Sequence, residues 1–126
     1  MKRTLLKKIL LFVTAGLIGL TTVHSWAAEM MMGTASFYGA GEPLNDNTAM
    51  NIPFDARLME CASWEYPLGS VLEVTSTRTG KMVIVRCTDR GPARRLNRLI
   101  DLTAYAFSQI DDPRLGLTPV SVRRIK

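Results

Sequence analysis

An aspartate in a turn after a β-branched run is the residue of this sequence best suited to carry a reaction. Asp89 stands in the segment CTDRGP, at the end of the run KMVIVRC. A turn at a strand end presents its side chains to a groove, and turns on rigid scaffolds often hold reactive groups. A carboxyl there could donate and accept a proton. It could equally bond its own backbone, as turn aspartates do, so both interpretations stay open.

The arginines that follow Asp89 bear on that chemistry. A guanidinium close to a carboxyl lowers its pKa and weakens it as an acid. Arg90 must therefore point away from Asp89, into the interior or toward substrate, if Asp89 is to act as an acid. Arg94, Arg95 and Arg98 form a local basic patch. Such a patch is either a solvated loop or a set of donors for carboxylates.

The first 28 residues have the pattern of a secretory signal peptide. Basic residues come first, then an apolar run, then small residues: Lys2, Arg3, Lys7 and Lys8, Ile9 to about Leu20, and Ser25, Ala27 and Ala28. The run is short for a membrane span, and a retained N-terminal anchor is the alternative. We predict a signal peptide over 1–28, one domain over 29–126, no stable membrane span after processing, and a periplasmic or secreted location.

Removing this leader changes what the charge indicates. The chain has 16 basic and 11 acidic residues. The four basic residues of the leader account for most of the excess, so the mature part is near neutral and its net charge gives no support to nucleic-acid binding. The single histidine, His24, also lies in the leader. We therefore predict neither a metal nor another cofactor.

Two cysteines, Cys61 and Cys87, lie in the exported part. An even count in an oxidising compartment predicts one disulfide. It would contribute roughly 3–4 kcal/mol on the chain-entropy argument if unstrained. Two free buried thiols are the alternative.

The pattern of the mature chain is mainly β. After a linker at 30–32, the strand candidates are GTASFYG, SVLEVTS, KMVIVRC and TPVSVRRI. The turn TRTG predicts a hairpin between the second and third of these. Several short strands, one short helix and long loops predict a small closed barrel.

One segment, IDLTAYAFSQI, changes to helical spacing. Thr103 is the predicted N-cap, and Ala104, Phe107 and Ile110 form the predicted buried stripe. Asp101 precedes the cap, and its charge suits the helix dipole. We interpret Asp101 as a support for the start of the helix.

Five blocks of the sequence resemble, in this order, the double-psi β-barrel domain of the rare lipoprotein A family. They are GTASFYG, TAMNIPFDARLM, YPLGSVLEV, GKMVIVRCTDRGP and LIDLTAYAF, within a resemblance that runs from about Gly33 to Arg123. The resemblance implies a six-stranded double-psi β-barrel with one short helix. It also implies a periplasmic, septum-associated domain that acts on peptidoglycan glycan strands as a lytic transglycosylase. The same barrel is similar to expansins, which loosen walls.

The resemblance also implies roles for two aspartates. Asp89 matches the family position of the catalytic acid, and Asp55 in PFDA matches a second position that lines the same groove. An Asx-turn or a helix cap is the alternative for Asp55. In lytic transglycosylation the 6-hydroxyl of the sugar is the nucleophile. One carboxyl can therefore protonate the leaving oxygen and then accept the proton of that hydroxyl.

Two departures from the family pattern weigh against an enzyme. Asn51 and Ile52 stand where the family usually has Gly-Glu, and LMECASWEYP lacks the family histidine. Glu60 and Glu65, in that rewritten loop, are candidates to replace the lost acid. The alternative function is a non-catalytic, expansin-like module that binds or loosens peptidoglycan.

Aromatic side chains could supply the sugar-binding half of the site. Tyr38 and Trp64 are predicted, with Arg90 and Asp55, to contact substrate, because flat rings with a polar edge suit sugar faces. Packing is the alternative for each ring, and for Tyr66 it is the preferred one.

Overall fold

The computed structural model describes residues 29–126, in which six β-strands, one α-helix and two 3-10 turns form. The strands are β1 (Met30–Tyr38), β2 (Glu60–Ala62), β3 (Val71–Ser76), β4 (Met82–Asp89), β5 (Ile100–Thr103) and β6 (Thr118–Arg124); the helix is α1 (Ala104–Ile110), and the turns are Arg94–Leu96 and Pro113–Leu115. The predicted signal peptide, residues 1–28, lies outside the described residues. Within 29–126, no helix is long and apolar enough to cross a membrane.

The six strands close into a barrel in the order β1-β5-β2-β4-β3-β6. The pairs β1–β5 and β2–β4 are parallel, and the other four pairs are antiparallel. Closure leaves no edge strand in the ring, so every strand has two neighbours. The predicted six-stranded double-psi barrel with one helix is confirmed.

Alternation of apolar and polar residues sets which side of each strand faces the core. Leu72 and Val74 of β3 and Val83 and Val85 of β4 are buried, while the residues between them are more exposed. Val74 pairs with Val83 across an antiparallel ladder. The predicted hairpin is therefore confirmed, and its apolar side forms one wall of the core.

Helix α1 begins as the sequence predicts. The Thr103 hydroxyl accepts a hydrogen bond from the Ala106 N–H, as an N-cap does. Phe107 and Ile110 are fully buried, and the ring of Phe107 lies 4.9 Å from that of Phe37 of β1, centroid to centroid. The third buried position is Ala106, and not Ala104 as predicted.

Three elements differ from the sequence prediction. Strand β1 begins at Met30, so 30–32 is not a linker: Met30 pairs with Arg123 and Met32 with Ser121 of β6. Strands β2 and β5 were not predicted. They have three and four residues, too few for a repeating pattern, and β5 leads directly into α1.

The predicted disulfide is not present. Cys61 and Cys87 are free thiols, both fully buried in the core. They are register partners on β2 and β4 and lie 4.5 Å apart. The Cys87 sulfur instead lies 3.8 Å from the carbonyl oxygen of Asp89 and 3.9 Å from that of Tyr66. The parallel backbone ladder, rather than a covalent bond, joins β2 and β4.

Candidate functional site

Asp89 ends β4 and is held there by backbone donors. Its Oδ1 accepts hydrogen bonds from the N–H of Ala49 (3.0 Å) and of Arg90 (2.8 Å). Ala49 belongs to a loop that also contacts the end of β4, where the Met50 N–H donates to the Thr88 carbonyl. Asp89 therefore fastens this loop over the barrel end while staying half-buried. Its Oδ2 accepts no hydrogen bond from residues 29–126.

The guanidinium of Arg90 points away from Asp89. Its Nη1 donates to the carbonyls of Ser63 (2.8 Å) and Tyr66 (2.6 Å). Arg90 thus fixes the loop that carries Trp64, and it forms no ion pair with Asp89 among the described ion pairs. The condition for an acid at Asp89 is met, and the predicted contact of Arg90 with substrate stays a prediction.

Four residues on four neighbouring strands form what we call the acid row: Ser36 of β1, Asp101 of β5, Ala62 of β2 and Asp89 of β4. Ser36 is the register partner of Asp101, and Ala62 is the partner of both Asp101 and Asp89. Register partners project to the same face of a sheet. Their strand neighbours Ala35, Cys61, Ile100 and Leu102 are in the core, so Ser36, Asp101 and Ala62 face outward, under the loops. Asp89 is two residues after the core residue Cys87, and a register shift between Cys61 and Ala62 brings it opposite Ala62.

The two aspartates of the acid row stand on either side of Ala62. Neighbouring strands lie about 4.8 Å apart, so the two backbones are separated by about 10 Å. The methyl group of Ala62 is the one side chain between them in the row. The charge of Asp89 acts on Asp101, so the two carboxyls interact across the position of Ala62.

Asp101 has the properties of an acid poised near neutral pH. Burial raises its pKa to about 6, and the negative charges of Glu42 and Asp89 act in the same direction. A hydrogen bond from the Ser36 hydroxyl to Oδ1 (3.0 Å) and the charge of Arg98 oppose this without cancelling it. The Asp101 side chain accepts its hydrogen bond from Ser36 of β1, whereas the N-cap of the helix is Thr103. The interpretation of Asp101 as a helix support is therefore wrong.

Tyr38 lies two residues beyond Ser36 on the same side of β1 and is buried. Its ring packs on Phe54, centroids 5.1 Å apart. Burial raises the pKa of Tyr38, and the charges of Asp89 and Asp101 add to the effect. The hydroxyl finds no hydrogen-bond partner in the described part of the chain. Such a group costs roughly 1–3 kcal/mol unless a ligand or water pairs with it.

A glycine directly after Tyr38 lets the loop return over the site. Gly39 has φ +85°, and a Cβ there would come within 2.7 Å of both Ala56 and Phe54. The Gly39 and Ala40 N–H groups donate to the carboxylate of Glu42, at 2.7 and 2.8 Å. Sequence reasoning did not identify Glu42, whose charge acts on Asp101; the tight glycine turn before it was the available signal.

Asp55 forms a turn with Arg57. Its Oδ1 accepts from the N–H and Nε of Arg57, and its Oδ2 from Nη2. The hydrogen bonds from Arg57 hold the pKa of Asp55 below its usual range. These contacts are those of the Asx-turn alternative. Contact of Asp55 with substrate stays a prediction.

The loop after β2 presents Trp64 at the surface. Its Nε1 donates to the Pro92 carbonyl (2.9 Å), and the Arg94 guanidinium carbon lies 4.6 Å from the ring centroid. Trp64 lines a cavity of 210 Å³ with Glu65, Arg94, Asn97, Arg98 and Leu99. Arg98 of this cavity is also the residue whose positive charge acts on Asp101.

Glu60 and Glu65, the candidates to replace the missing glutamate, lie in different places from each other. Asn51, where that glutamate is expected, adopts a left-handed conformation and accepts from the Asn47 amide. Glu60 is buried on β2, and its Oε2 accepts from the Thr88 hydroxyl (3.2 Å). Glu65 lines the Trp64 cavity. Across residues 29–126, no three metal-ligating side chains come together.

Comparison with known proteins gives a family. Residues 30–122 match the sequence family described as "Lytic transglycolase". One relative is the "Probable endolytic peptidoglycan transglycosylase RlpA" of Nostoc sp., 38% identical over 91 residues that cover 71% of this chain and 24% of that protein. The chain thus spans about a quarter of the length of that relative.

Solved structures share the barrel. The Streptomyces papain inhibitor is 20% identical with a TM-score of 0.61, covering 78% of this chain and 96% of that one. A Clavibacter michiganensis expansin in complex with cellohexaose is 23% identical with a TM-score of 0.62, covering 78% of this chain and 51% of that one. At these identities the likeness shows the fold alone.

Proposed function

Because the chain belongs to the lytic transglycolase family of double-psi β-barrels, we propose that it cleaves the glycan strands of peptidoglycan by lytic transglycosylation, leaving 1,6-anhydro ends. The family is one that acts on peptidoglycan. The observation that carries the proposal is the acid row, in which the carboxyls of Asp101 and Asp89 lie on the two strands that flank β2. Burial raises the pKa of Asp101 to about 6.

The reaction needs one group that can give and then take a proton. The bond between C1 and the leaving oxygen breaks while that oxygen receives a proton from a carboxylic acid. The 6-hydroxyl of the same sugar then forms a bond to C1 and gives its proton to the resulting carboxylate. The acid is regenerated and no water is consumed.

Asp101 suits the proton-carrying role best. A catalytic acid works best when its pKa lies near the working pH, and burial sets that of Asp101 to about 6. The Oδ1 of Asp89 already accepts from two backbone N–H groups, and we assign Asp89 the supporting, electrostatic role. Asp89 therefore supplies negative charge beside the positive charge that develops at C1. The prediction from sequence, Asp89 itself as the acid, remains the competing assignment.

Two aromatic residues support substrate binding in this proposal. The buried, unpartnered Tyr38 hydroxyl lies near both carboxyls and can pair with a sugar hydroxyl. Trp64 is 43% exposed, and its ring is fixed by the Pro92 hydrogen bond and by Arg94. A ring held in this way can offer a face to a sugar without further loss of side-chain freedom.

Product analysis tests the activity and the assignment together. Denuded glycan strands are incubated with the full chain, and 1,6-anhydro ends are quantified by mass spectrometry. Asp101→Asn should reduce their formation about a thousandfold, within the range for loss of a general acid. Asp89→Asn should retain more activity than Asp101→Asn, and the reverse order would return the acid to Asp89. Asp112→Asn, a surface residue paired with Arg114, is the matched control.

A non-catalytic binding module is the second candidate. It is favoured by Asn51 in place of the family glutamate and by the lack of histidine after the leader. It predicts no anhydro product at any pH, sedimentation with sacculi that Asp101→Asn leaves unchanged, and weaker sedimentation of Trp64→Ala. Anhydro product that disappears in Asp101→Asn would eliminate it.

The location belongs to the same proposal. The leader pattern of residues 1–28 supports export to the periplasm or beyond, where the wall is found. N-terminal sequencing of the exported protein checks it. A first residue at about position 28 or 29 is expected, and an intact N-terminus would contradict cleavage.

A further inference from the structure

Of the ten arginines in residues 29–126, four pair with a carboxylate and six do not, and Arg94 and Arg98 are two of those six. The four pairs are Arg57 with Asp55, Arg78 with Asp111, Arg114 with Asp112 and Arg123 with Glu73. Arg94 and Arg98 have no carboxylate within ion-pair distance among residues 29–126, yet both line the 210 Å³ cavity beside Trp64. Their donors are therefore available to a ligand.

Arg94 is held in place before any ligand arrives. Its guanidinium lies over the Trp64 ring at 4.6 Å, and the ring is itself fixed by its hydrogen bond to Pro92. Stacking uses the flat face of a guanidinium and leaves the N–H groups at its edge free. Those groups match the two oxygens of a carboxylate.

Arg98 faces the same cavity from a rigid turn. Asn97 adopts a left-handed conformation, φ +52°, and its N–H donates to the Arg94 carbonyl (3.1 Å), which closes the 3-10 turn. Arg98 follows directly and is half-buried. A partly desolvated guanidinium without a partner is costly, and an anionic ligand removes that cost.

One acidic residue belongs to the same cavity. Glu65 lines it. The two arginines and this glutamate together give the cavity wall a net charge of +1, rather than the +2 of the arginines alone. Neither arginine pairs with Glu65 within ion-pair distance among the described residues. Glu65 therefore weakens the attraction for an anion without occupying the donors.

The cavity is continuous with a second, longer groove. A second cavity of 350 Å³ shares Glu65, Asn97, Arg98 and Leu99 with the first and runs along 31–34 of β1. The Leu99 N–H donates to Thr34, and the Leu99 carbonyl accepts from the Ser63 hydroxyl. The charge of Arg98 also acts on Asp101. Arg98 is therefore the residue that connects this groove to the neighbourhood of the proposed acid, and the acid row itself lines neither cavity.

We propose that Arg94 and Arg98 form a carboxylate-binding subsite that holds an acidic group of the glycan strand next to the bond that is cut. The inference rests on the proposed function, because it takes the peptidoglycan strand as the ligand. Two sources offer this chemistry: the free lactyl carboxylate of a denuded muramic acid, and the carboxylates of a stem peptide. Both are planar anions that a guanidinium binds through two parallel hydrogen bonds.

Binding measured in an inactive background separates this inference from the proposed activity. The full chain carrying Asp101→Asn is titrated with soluble strands of three kinds: denuded, peptide-bearing, and denuded with every carboxyl amidated. The same titrations are made with two further proteins in this background. One is the double variant that carries both Arg94→Gln and Arg98→Gln, and the other is Arg95→Gln, the matched control on the same turn, which does not line the cavity. Circular dichroism and urea denaturation verify the fold of each variant.

We expect the double variant to bind the carboxylate-bearing strand at least about tenfold more weakly, and Arg95→Gln to bind it normally. Amidated strands should bind equally well to the protein that keeps both arginines and to the double variant. Dependence with denuded strands assigns the lactyl carboxylate, and dependence with peptide-bearing strands alone assigns the stem peptide. Glu65→Gln should tighten binding to either. Equal binding of acid and amidated strands by the protein with both arginines would overturn the subsite, whether or not the wild type forms anhydro ends.

Discussion

Two aspartates on either side of α1 show how one barrel gives the same side chain opposite properties. Asp111 caps the C-terminal end of the helix, and its side chain is fully buried. It accepts from the Arg78 guanidinium, from the Thr118 hydroxyl (2.6 Å) and from the Asp112 N–H (2.7 Å). Asp101, before the helix, accepts from Ser36 alone among the described residues.

The number of partners decides the outcome. Hydrogen bonds from Arg78 and then Thr118 hold the pKa of Asp111 far below its usual range. Burial without such partners raises that of Asp101 to about 6. Burial alone therefore does not distinguish a structural carboxyl from a reactive one. A carboxyl with a complete set of donors joins parts of the chain, whereas one with too few can exchange a proton.

The largest stability effect should follow from breaking the complete set. Asp111→Asn removes the charge that Arg78 pairs with and weakens the bond to Thr118, which also contacts Ser76. We expect a loss of about 2 kcal/mol in the free energy of unfolding, measured by urea denaturation, with the anhydro-forming activity retained. Asp112→Asn, whose partner Arg114 is exposed, should lose less than about 0.5 kcal/mol. Equal losses in the two variants would show that the partners of Asp111 stabilise the fold no more than the exposed ion pair of Asp112 does.

The two aspartates should also respond oppositely to pH. The raised pKa of Asp101 means that its contribution to stability is present below about pH 4 and is lost as the pH rises toward 6. The stability of the wild type should therefore fall relative to Asp101→Asn over that range. For Asp111 the pKa is lowered, so its contribution is present above about pH 4 and is lost as the pH falls further. Thermal melting of the three proteins from pH 3 to 8 measures both trends, and parallel curves would refute them.

A smaller effect is expected at Tyr38. Because its hydroxyl has no partner in the described chain, Tyr38→Phe should leave the unfolding free energy unchanged or slightly higher. Loss of one hydrogen bond to substrate should lower activity about tenfold. Tyr38→Ala is the contrasting variant, since it also removes the ring that packs on Phe54. A destabilised Tyr38→Phe would show that the hydroxyl has a partner in the free protein.

The smallest effect should come from Ser36. Ser36→Ala removes the one hydroxyl that donates to Asp101 and so raises the pKa of Asp101 further. In the pH-activity profile, the limb that reports ionisation of Asp101 should move to a pH higher by about half a pH unit. Ser36→Thr, which keeps a hydroxyl, should leave the limb in place. A downward movement in Ser36→Ala would show that the bond stabilises the protonated form.

Sequence predicts the elements that repeat a pattern and misses those that depend on neighbours. The β3–β4 hairpin and the Thr103 cap follow from local alternation and turn chemistry. The three residues of β2 carry no such pattern, although β2 brings Asp89 and Asp101 to either side of Ala62. The pattern of short strands and long loops predicts a closed barrel, and the resemblance to a family supplies its six strands and double-psi topology.

The candidate site was predicted in part for the same reason. Asp89 stands at a strand end, as its turn indicates, and Arg90 points away from it. The pKa of Asp101 depends on burial by β1 and β2, which are distant in sequence, so its position before a helix suggested only a structural role. Likewise, the even cysteine count indicates proximity of Cys61 and Cys87 without determining whether they bond.

The titration of Asp101 is the most direct test of its proposed role as the proton carrier. Carboxyl carbon NMR of the full chain, with the signals of Asp101 and Asp111 assigned through their asparagine variants, gives both pKa values in the absence of substrate. We expect a midpoint near 6 for Asp101 and one well below the usual aspartate range for Asp111. A midpoint for Asp101 at or below about 4, the value of an ordinary aspartate, would contradict its role as the proton carrier.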